Sequence, residues 1–206
     1  MTNVKTLSIG WLMKVFNTNS YIVYNDKDCV VIDVPLCRKD YISEFLQQNN
    51  LIPKAILLTH GHCDHCGGAD LLAEKYNIPV YCHQNDLWLA GMVDMNPFRI
   101  PANKCHPQPL PKNFIDIGSL HFDIVETFGH TEGSVVYLHE DKMFSGDLLF
   151  YRNVGRTDFP ESSPEDLKNS LRKLKTFKKD YVVLPGHGQA TTLFDELENN
   201  EFIKQL

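Results

Sequence analysis

One short segment of the chain, residues 59–68, concentrates side chains that bind metal ions. It reads THGHCDHCGG, so three histidines and one carboxylate, His60, His62, Asp64 and His65, fall within six residues. Imidazole and carboxylate groups are preferred ligands of zinc and related transition metals. A solvated histidine-rich loop is the alternative interpretation, but so many polar groups behind an apolar run would be costly to bury without partners. The segment therefore predicts a metal site with these four residues as ligands.

Three more ionisable residues occur in a similar setting further along the chain. His130, Asp147 and His187 each follow a glycine after a strand-like run. Taken one at a time, each is more often a surface or capping residue than a ligand. Taken together, they are expected to lie close to one another in the fold. The ends of the strands in one sheet system share an edge, and functional loops often lie there. We therefore expect all seven residues to form one site.

The elements that position these residues can be predicted from hydrophobic periodicity. Apolar runs indicate strands at residues 20–24, 29–33, 55–58, 80–82, 122–126, 134–138, 142–144 and 181–184. Helices are predicted at 39–48, after Gly67-Gly68, at 86–92, from a Ser163 cap onward, and at 193–203. The proline-rich segment 96–113 is predicted to be a long loop beside the site. The order of elements predicts an α+β fold, a four-layer αββα sandwich, and we expect one domain spanning residues 1–206.

The complete pattern resembles the metallo-β-lactamase superfamily over nearly the whole chain. The seven residues are spaced like its metal ligands: His60, His62, Asp64, His65, His130, Asp147 and His187. NSY at residues 19–21, VID at 31–33, GHTEGS at 129–134 and SGD at 145–147 are similar to its other motifs. GRTDF at 155–159 and PGHG at 185–188 resemble its small glyoxalase II-like, or hydroxyacylglutathione hydrolase-like, branch. The resemblance implies the metallo-β-lactamase fold.

By this resemblance, two divalent metal ions bind in the site. The implied ligands are His60, His62 and His130 for the first ion, Asp64, His65 and His187 for the second, and Asp147 as a bridge. Zinc is the expected metal, although these ligands also suit iron or manganese. Two adjacent cations lower the pKa of a bridging water, so a metal-bridging hydroxide is expected to attack a carbonyl carbon. Asp64 and Asp147 would be the catalytic carboxylates, whereas no substrate-binding residues are assigned.

The implied function is a binuclear metal-dependent hydrolase, a thioesterase acting on hydroxyacylglutathione-like thioesters or other small esters. The alternative is a mononuclear iron persulfide dioxygenase on a related scaffold, but the full seven-residue set favours two metals and hydrolysis. A β-lactamase is disfavoured because many of those enzymes carry cysteine where Asp147 stands. Full glyoxalase II enzymes have a C-terminal helical domain that binds glutathione. Only about 19 residues follow His187 here, so glutathione recognition is not implied.

Cys63 and Cys66 form a Cys-x-x-Cys pair inside the metal segment. A zinc ribbon needs a second such pair, and the sequence has none. We interpret the two thiols as filler at variable positions of the motif, with sensitivity to oxidation as the alternative. Arg156 and Asp158 are expected to brace the site, and His83 is a weaker candidate for a supporting contact.

The composition is that of an ordinary soluble globular protein, with 206 residues, 43% apolar and 22% charged. A formal charge of −6 without a marked basic block argues against a nucleic-acid partner. No apolar run approaches membrane-spanning length, so no membrane partner is expected. Residues 1–15 lack the apolar core of a signal peptide, which predicts a cytoplasmic location and reduced cysteines. The sequence carries no signal for an oligomeric state.

Overall fold

Two six-stranded β-sheets form the centre of the computed structural model, which describes residues 2–10, 17–37, 39–92 and 105–206. The strands of the first sheet, in spatial order, are β1 (Asn3–Gly10), β2 (Asn17–Tyr24), β3 (Cys29–Ile32), β4 (Ala55–Leu57), β5 (Val80–Cys82) and β6 (Gln108–Pro109). The β1–β2 and β2–β3 pairs are antiparallel, whereas β3, β4, β5 and β6 run parallel to one another. The carboxyl ends of these parallel strands therefore meet at one edge.

The second sheet is mostly antiparallel. Its strands are β7 (Phe114–Ile117), β8 (Leu120–Glu126), β9 (Val135–His139), β10 (Lys142–Gly146), β13 (Val182–Pro185) and β14 (Thr191–Thr192). Their spatial order is β14-β13-β10-β9-β8-β7. Only the β10–β13 pair is parallel among these described strands, so both strands end at the same edge. A separate two-stranded ribbon, β11 (Leu149–Phe150) and β12 (Asn153–Val154), follows β10.

Side chains along the central strands point alternately to the two faces of a sheet. They form one apolar core between the sheets and one further core on the outer face of each sheet. On β3, Val30 and Ile32 face the second sheet, where they join Phe122 and Phe144 in one buried cluster. The intervening Val31 faces outward and belongs to a different cluster. This two-residue period is what strands buried on both faces require.

Helices cover the outer faces of both sheets. They are α1 (Tyr41–Gln48), α2 (Cys63–Cys66), α3 (Ala69–Tyr76), α4 (Leu87–Ala90), α5 (Pro164–Leu174), α6 (Leu193–Asn199) and α7 (Glu201–Lys204). Buried residues of α1 and α3 pack on the first sheet, and buried leucines of α5 pack on the second. The layers are thus helix, sheet, sheet, helix, which confirms the predicted α+β, αββα sandwich. None of the helices in the described ranges is long and apolar enough to cross a membrane.

The predicted helix starts follow from capping side chains. Ser163 Oγ accepts a hydrogen bond from the Asp166 amide at 3.2 Å, and Pro164 occupies the first turn of α5. The Ser163 side chain satisfies one amide that a helix start leaves unpaired, and Pro164 has no amide hydrogen that needs a partner. The predicted final helix is interrupted: Asn200 separates α6 from α7, and its side-chain oxygen caps α7 by accepting from the Phe202 amide. Side-chain bonding at Asn200 competes there with helix continuation.

The proline-rich segment is only partly described. Residues 96–104 of the predicted loop lie outside the described residues. The remainder runs beside β5, where Gln108 and Pro109 form β6 and the Leu110 amide donates to the Cys82 carbonyl at 2.8 Å. Residues 108–110 are therefore anchored to the first sheet.

The edge that carries the site is held together by backbone bonds between the sheets. The Val135 amide of the second sheet donates to the Thr59 carbonyl, which follows β4, at 2.9 Å. Gly186, just after β13, accepts from the Asn19 amide at 2.7 Å and donates to the Gly146 carbonyl at 2.8 Å. The loops after β4, β10 and β13 are consequently fixed relative to one another.

Candidate metal centre

All seven predicted ligand residues meet at this edge. Their donor atoms fall into three overlapping groups, each spanning no more than 4.8 Å: His60, His62 and His130; Asp64, His65 and His187; and His60, His65 and Asp147. The first two groups are the two ligand sets implied by the sequence resemblance. Asp147 lies between them, since its Oδ1 is 3.3 Å from His65 Nε2 and its Oδ2 is 3.5 Å from His130 Nε2.

Each of the five histidines has one ring nitrogen held by the protein. The contacts are His60 Nδ1 with Thr59 Oγ1 at 3.1 Å, His62 Nε2 with Glu161 at 2.8 Å, His65 Nδ1 with Asp33 at 2.8 Å, His130 Nδ1 with the Arg156 carbonyl at 2.9 Å, and His187 Nδ1 with the Asn17 carbonyl at 2.8 Å. For the last four rings, the remaining nitrogen faces the shared space, as the close approaches of His62 to His130 and of His65 to His187 show. This is the arrangement that orients imidazoles toward a metal.

Close packing around Asp147 requires a glycine nearby. A Cβ atom on Gly186 would lie 2.2 Å from Asp147 Oδ1 and 2.6 Å from His65 Cε1. Only a residue without a side chain therefore allows the loop after β13 to approach both groups.

Two histidines of the first group, His60 and His130, favour the neutral form. Burial lowers the pKa of His60 well below its ordinary value, and the nearby His65 and His62 lower it further. Burial likewise lowers the pKa of His130 to about 4. Neutral imidazole carries the lone pair that a metal needs, so these rings are in the ligand form near pH 7.

The second group has the opposite charge state. Burial disfavours the charged form of His187, but Asp147 and then Asp64 outweigh it and raise its pKa to about 10. Asp147 and Asp33 similarly overcome burial and raise the pKa of His65 well above its usual value. Burial would raise the pKa of Asp147, yet the charges of His187 and His65 hold it well below its ordinary range. A cation binding there takes the place of the two imidazolium protons.

The donor set fits divalent metal ions. His60 is fully buried, and its Nε2 has no hydrogen-bond partner among the described residues. A buried nitrogen of this kind is costly unless a ligand occupies its lone pair. Imidazole nitrogens with carboxylate oxygens match zinc, and also iron and manganese. The resident ions would be held by the three overlapping groups described above.

Three carboxylates that support the ligands were not identified as such from the sequence. Asp33 accepts from His65 Nδ1 and also from the Thr59 amide at 2.8 Å. Asp86 is completely buried and accepts from the Gly61 amide at 2.8 Å. Glu161 contacts His62. Asp33 belongs to the VID motif, which could have indicated a role at the site. Asp86 and Glu161 belong to no recognised motif.

Arg156 and Asp158, which were predicted to brace the site, pair with each other beside an aromatic ring that contacts two of the histidines. The Arg156 guanidinium donates to both carboxylate oxygens of Asp158 at 2.5 Å and lies 4.5 Å from the centre of the Phe159 ring. That ring packs against the rings of His62 and His130 at 5.1 and 6.2 Å. His83 instead lies beside Glu126 and caps the turn at Gln84–Asp86.

The two thiols of the metal segment differ in position. Cys63 lines the pocket over the site, and burial raises its pKa to about 11. Cys66 is buried in the core outside the first sheet, where contact with Cys105 and burial raise its pKa well above the ordinary value. Both shifts disfavour the reactive thiolate. Our interpretation of the pair as filler stays a prediction.

A pocket of about 1020 Å³ opens over the seven residues. Its walls are largely apolar and include Leu89, Met92, Phe150, Tyr151 and Phe159. Asp64, Asp147 and His187 reach it from the metal centre, and Arg156 and Glu161 also line it. A volume of this size accommodates a small organic substrate.

Two curated relatives are similar to the chain over most of its length. A probable metallo-hydrolase, YqgX of Bacillus subtilis, is 36% identical over 90% of this chain and 92% of its own length. Hydroxyacylglutathione hydrolase GloC of Haemophilus influenzae is 30% identical over 91% of this chain and 93% of its own.

Two solved structures share the fold closely. The B3 metallo-beta-lactamase BLEG-1 is 31% identical, with a TM-score of 0.87, over 98% of this chain and 99% of its own. TTHA1623, solved in a di-iron-bound form, is 34% identical, with a TM-score of 0.84, over 96% and 99% of the two chains. The profile of the metallo-beta-lactamase superfamily matches residues 13–187, which include all seven clustered residues. The predicted family is therefore confirmed, and the chain belongs to the metallo-beta-lactamase superfamily.

Proposed function

We propose that the protein is a binuclear metal-dependent hydrolase that cleaves thioesters of the hydroxyacylglutathione type. The observation that carries the proposal is the paired arrangement of donors, in which two three-residue groups share Asp147. A structural metal site is usually closed by four protein ligands. Here five of the seven donor residues line an open pocket, which suits catalysis with two ions.

The chemistry of the reaction divides between the ions and the chain. Two divalent ions, when bound, would supply an activated water and a Lewis acid for the substrate carbonyl. Asp64 lies on the pocket wall and can accept the proton that the attacking water loses. A substrate that fills the pocket displaces water from its apolar walls, which strengthens electrostatic interactions at the carbonyl. A thiolate leaves without help from an acid, so no further side chain is required for the departing group.

The thioester class is supported by the pocket and by one relative. The pocket is large enough for an acyl group together with part of a thiol carrier. The relative named hydroxyacylglutathione hydrolase covers nearly the whole chain. Zinc is the proposed metal because of the imidazole-rich donor set. The di-iron form of TTHA1623 makes iron the second candidate.

The first experiment combines elemental analysis of the purified full chain with hydrolysis of S-lactoylglutathione. We expect about two ions per chain and turnover that stops when a chelator removes them. Asp147→Ala should lose more than about 100-fold in rate, because even indirect supports of metal ligands contribute 10–100-fold. The matched control is Asp141→Ala, since Asp141 lies exposed at the opposite end of β10.

Other outcomes identify other functions. About one iron per chain, no hydrolysis, and oxygen consumption with glutathione persulfide would indicate the alternative dioxygenase. Because BLEG-1 is a β-lactamase, a chromogenic cephalosporin is the second test substrate. Cleavage of that substrate at a higher kcat/KM than the thioester would replace our proposal.

A further inference from the structure

Glu161 is a carboxylate outside the seven-residue set that contacts one member of it directly. Its Oε1 lies 2.8 Å from His62 Nε2. Both side chains are shielded, with exposed fractions of 8% for Glu161 and 15% for His62. A charge-assisted contact at this distance in a partly dry setting is a strong hydrogen bond.

The segment carrying Glu161 is fixed to the loop that holds another histidine of the first group. Ser162 Oγ donates to the His130 carbonyl at 2.6 Å, and the Ser163 amide donates to the Gly129 carbonyl at 2.8 Å. Ser163 also caps α5. Glu161 is therefore held on a braced segment, so its carboxylate has a defined position beside His62.

The contact determines which nitrogen of His62 faces the cluster. A carboxylate accepts only from a protonated ring nitrogen, so it selects the tautomer with hydrogen on Nε2. The other nitrogen, Nδ1, then carries the lone pair, and it lies 3.0 Å from His130 Nε2 in the interior of the first group. Phe159 packs against the same imidazole. The ring is thus restrained both along its edge and by an aromatic neighbour.

We propose that Glu161 is a positioning residue that selects the tautomer and orientation of His62 and so presents Nδ1 to the first metal ion. This inference rests on the proposed metal centre. Asp33 makes the corresponding contact with His65 in the second group. The two groups are thus each supported by one carboxylate–histidine pair, an arrangement that raises the donor strength of an imidazole.

The test compares Glu161→Ala and Glu161→Gln with wild type, using cobalt titration in the presence of a competing chelator. In Glu161→Ala, affinity for one of the two ions should fall about 10–100-fold while the other ion binds normally. Glu161→Gln should recover most of this loss, because its amide oxygen still accepts from Nε2. Glu165→Ala is the matched control, since Glu165 is an exposed glutamate on the same segment. Wild-type affinity for both ions in Glu161→Ala would overturn the proposal.

A second measurement needs neither metal nor turnover. Nitrogen NMR of the metal-free full chain, labelled at histidine, should show His62 protonated on Nε2 in wild type and Glu161→Gln. Glu161→Ala should show a mixture of tautomers. If wild-type His62 lacks a hydrogen on Nε2, the proposal is wrong. Absence of thioesterase activity in a wild-type protein that passes both tests would reject only the proposed substrate.

Discussion

Asp86 links the two loops that carry the histidines of the first group. Its Oδ2 accepts from the Gly61 amide at 2.8 Å and from Thr131 Oγ1 at 2.7 Å, and its Oδ1 accepts from the Gly133 amide at 2.7 Å. In Asp86→Ala both buried amides lose their acceptor, whereas Thr131 keeps Ser134 Oγ at 2.7 Å. At about 1–3 kcal/mol for each unpaired donor, the free energy of unfolding should fall by about 2–6 kcal/mol. That is a large part of the roughly 5–15 kcal/mol expected for a domain.

Urea unfolding of the metal-free chain, followed by circular dichroism, measures this loss. Asp26→Ala serves as the control because Asp26 is exposed in the turn between β2 and β3, and a change within about 0.5 kcal/mol is expected there. Gly61 lies between two histidines of the metal segment, and Thr131 follows His130. Asp86→Ala should therefore also weaken binding of the first ion by about 10–100-fold, as measured by chelator competition.

Two results would refute this reasoning. One is an unfolding free energy of Asp86→Ala within about 0.5 kcal/mol of wild type, which would mean that water or a rearranged loop satisfies both amides. The other is an equal loss of affinity for both ions, which would indicate general loosening of the fold. Asp86→Asn should lie between wild type and alanine, because it keeps one acceptor but turns an amide toward a donor.

Four further predictions concern stability, the second group and the two thiols of the metal segment. Hydrogen bonds from a lysine and a serine hold the pKa of Asp28 below its ordinary 3.8, so its stabilisation is present above that pH and is lost on acidification. Asp28→Asn should lower the urea midpoint at pH 7, and an equally large gap at pH 3 would contradict this. Gly186→Ala should displace both Asp147 and His65. Because His65 belongs to the second group and not to the first, affinity for the second ion should fall most, by more than about tenfold in the same competition assay. Unchanged binding would show that the loop can move away. In Cys66→Ser a hydroxyl replaces a thiol in an apolar core, so the free energy of unfolding in urea should fall by about 1–3 kcal/mol. Cys63→Ser should keep turnover within about twofold of wild type. A larger loss of turnover would show that the Cys63 thiol takes part in the reaction.

Convergence of the seven residues could be predicted because it depends on local patterns. Each residue follows a strand-like run, and a strand's carboxyl end fixes where the next few residues lie. The core strands were found for the same reason, since β3 and the first four residues of β9 form buried apolar runs. The long helix α5 could be predicted from its capping residue and from the spacing of its leucines.

Other elements leave too weak a trace in the sequence. β1 is a mostly exposed strand whose polar residues resemble loop sequence. β7 has only four residues, directly after the proline-rich segment. No strand was predicted for either. β6, β11, β12 and β14 have two residues each, so no period can be read. They form because a neighbouring strand offers unpaired backbone groups, which is a tertiary effect.

The carboxylates that support the ligands could not be predicted from the sequence for a related reason. Asp86 lies 25 residues from the amide it binds, and Glu161 lies 99 residues from His62. Neither belongs to a motif with characteristic spacing. Only the folded chain shows that an ordinary acidic residue touches a ligand.

The wide separation of the donors has a consequence for how the protein is made. His65 and His187 are 122 residues apart, and His187 follows the penultimate strand of the second sheet. During synthesis, the three histidines of the first group are available well before the second group is complete. A metal ion can therefore bind the second group only after β13 has been synthesised and the two sheets have packed together. A chain cut before that strand by a protease is expected to retain at most one of the two ions, so metal content distinguishes intact molecules from fragments.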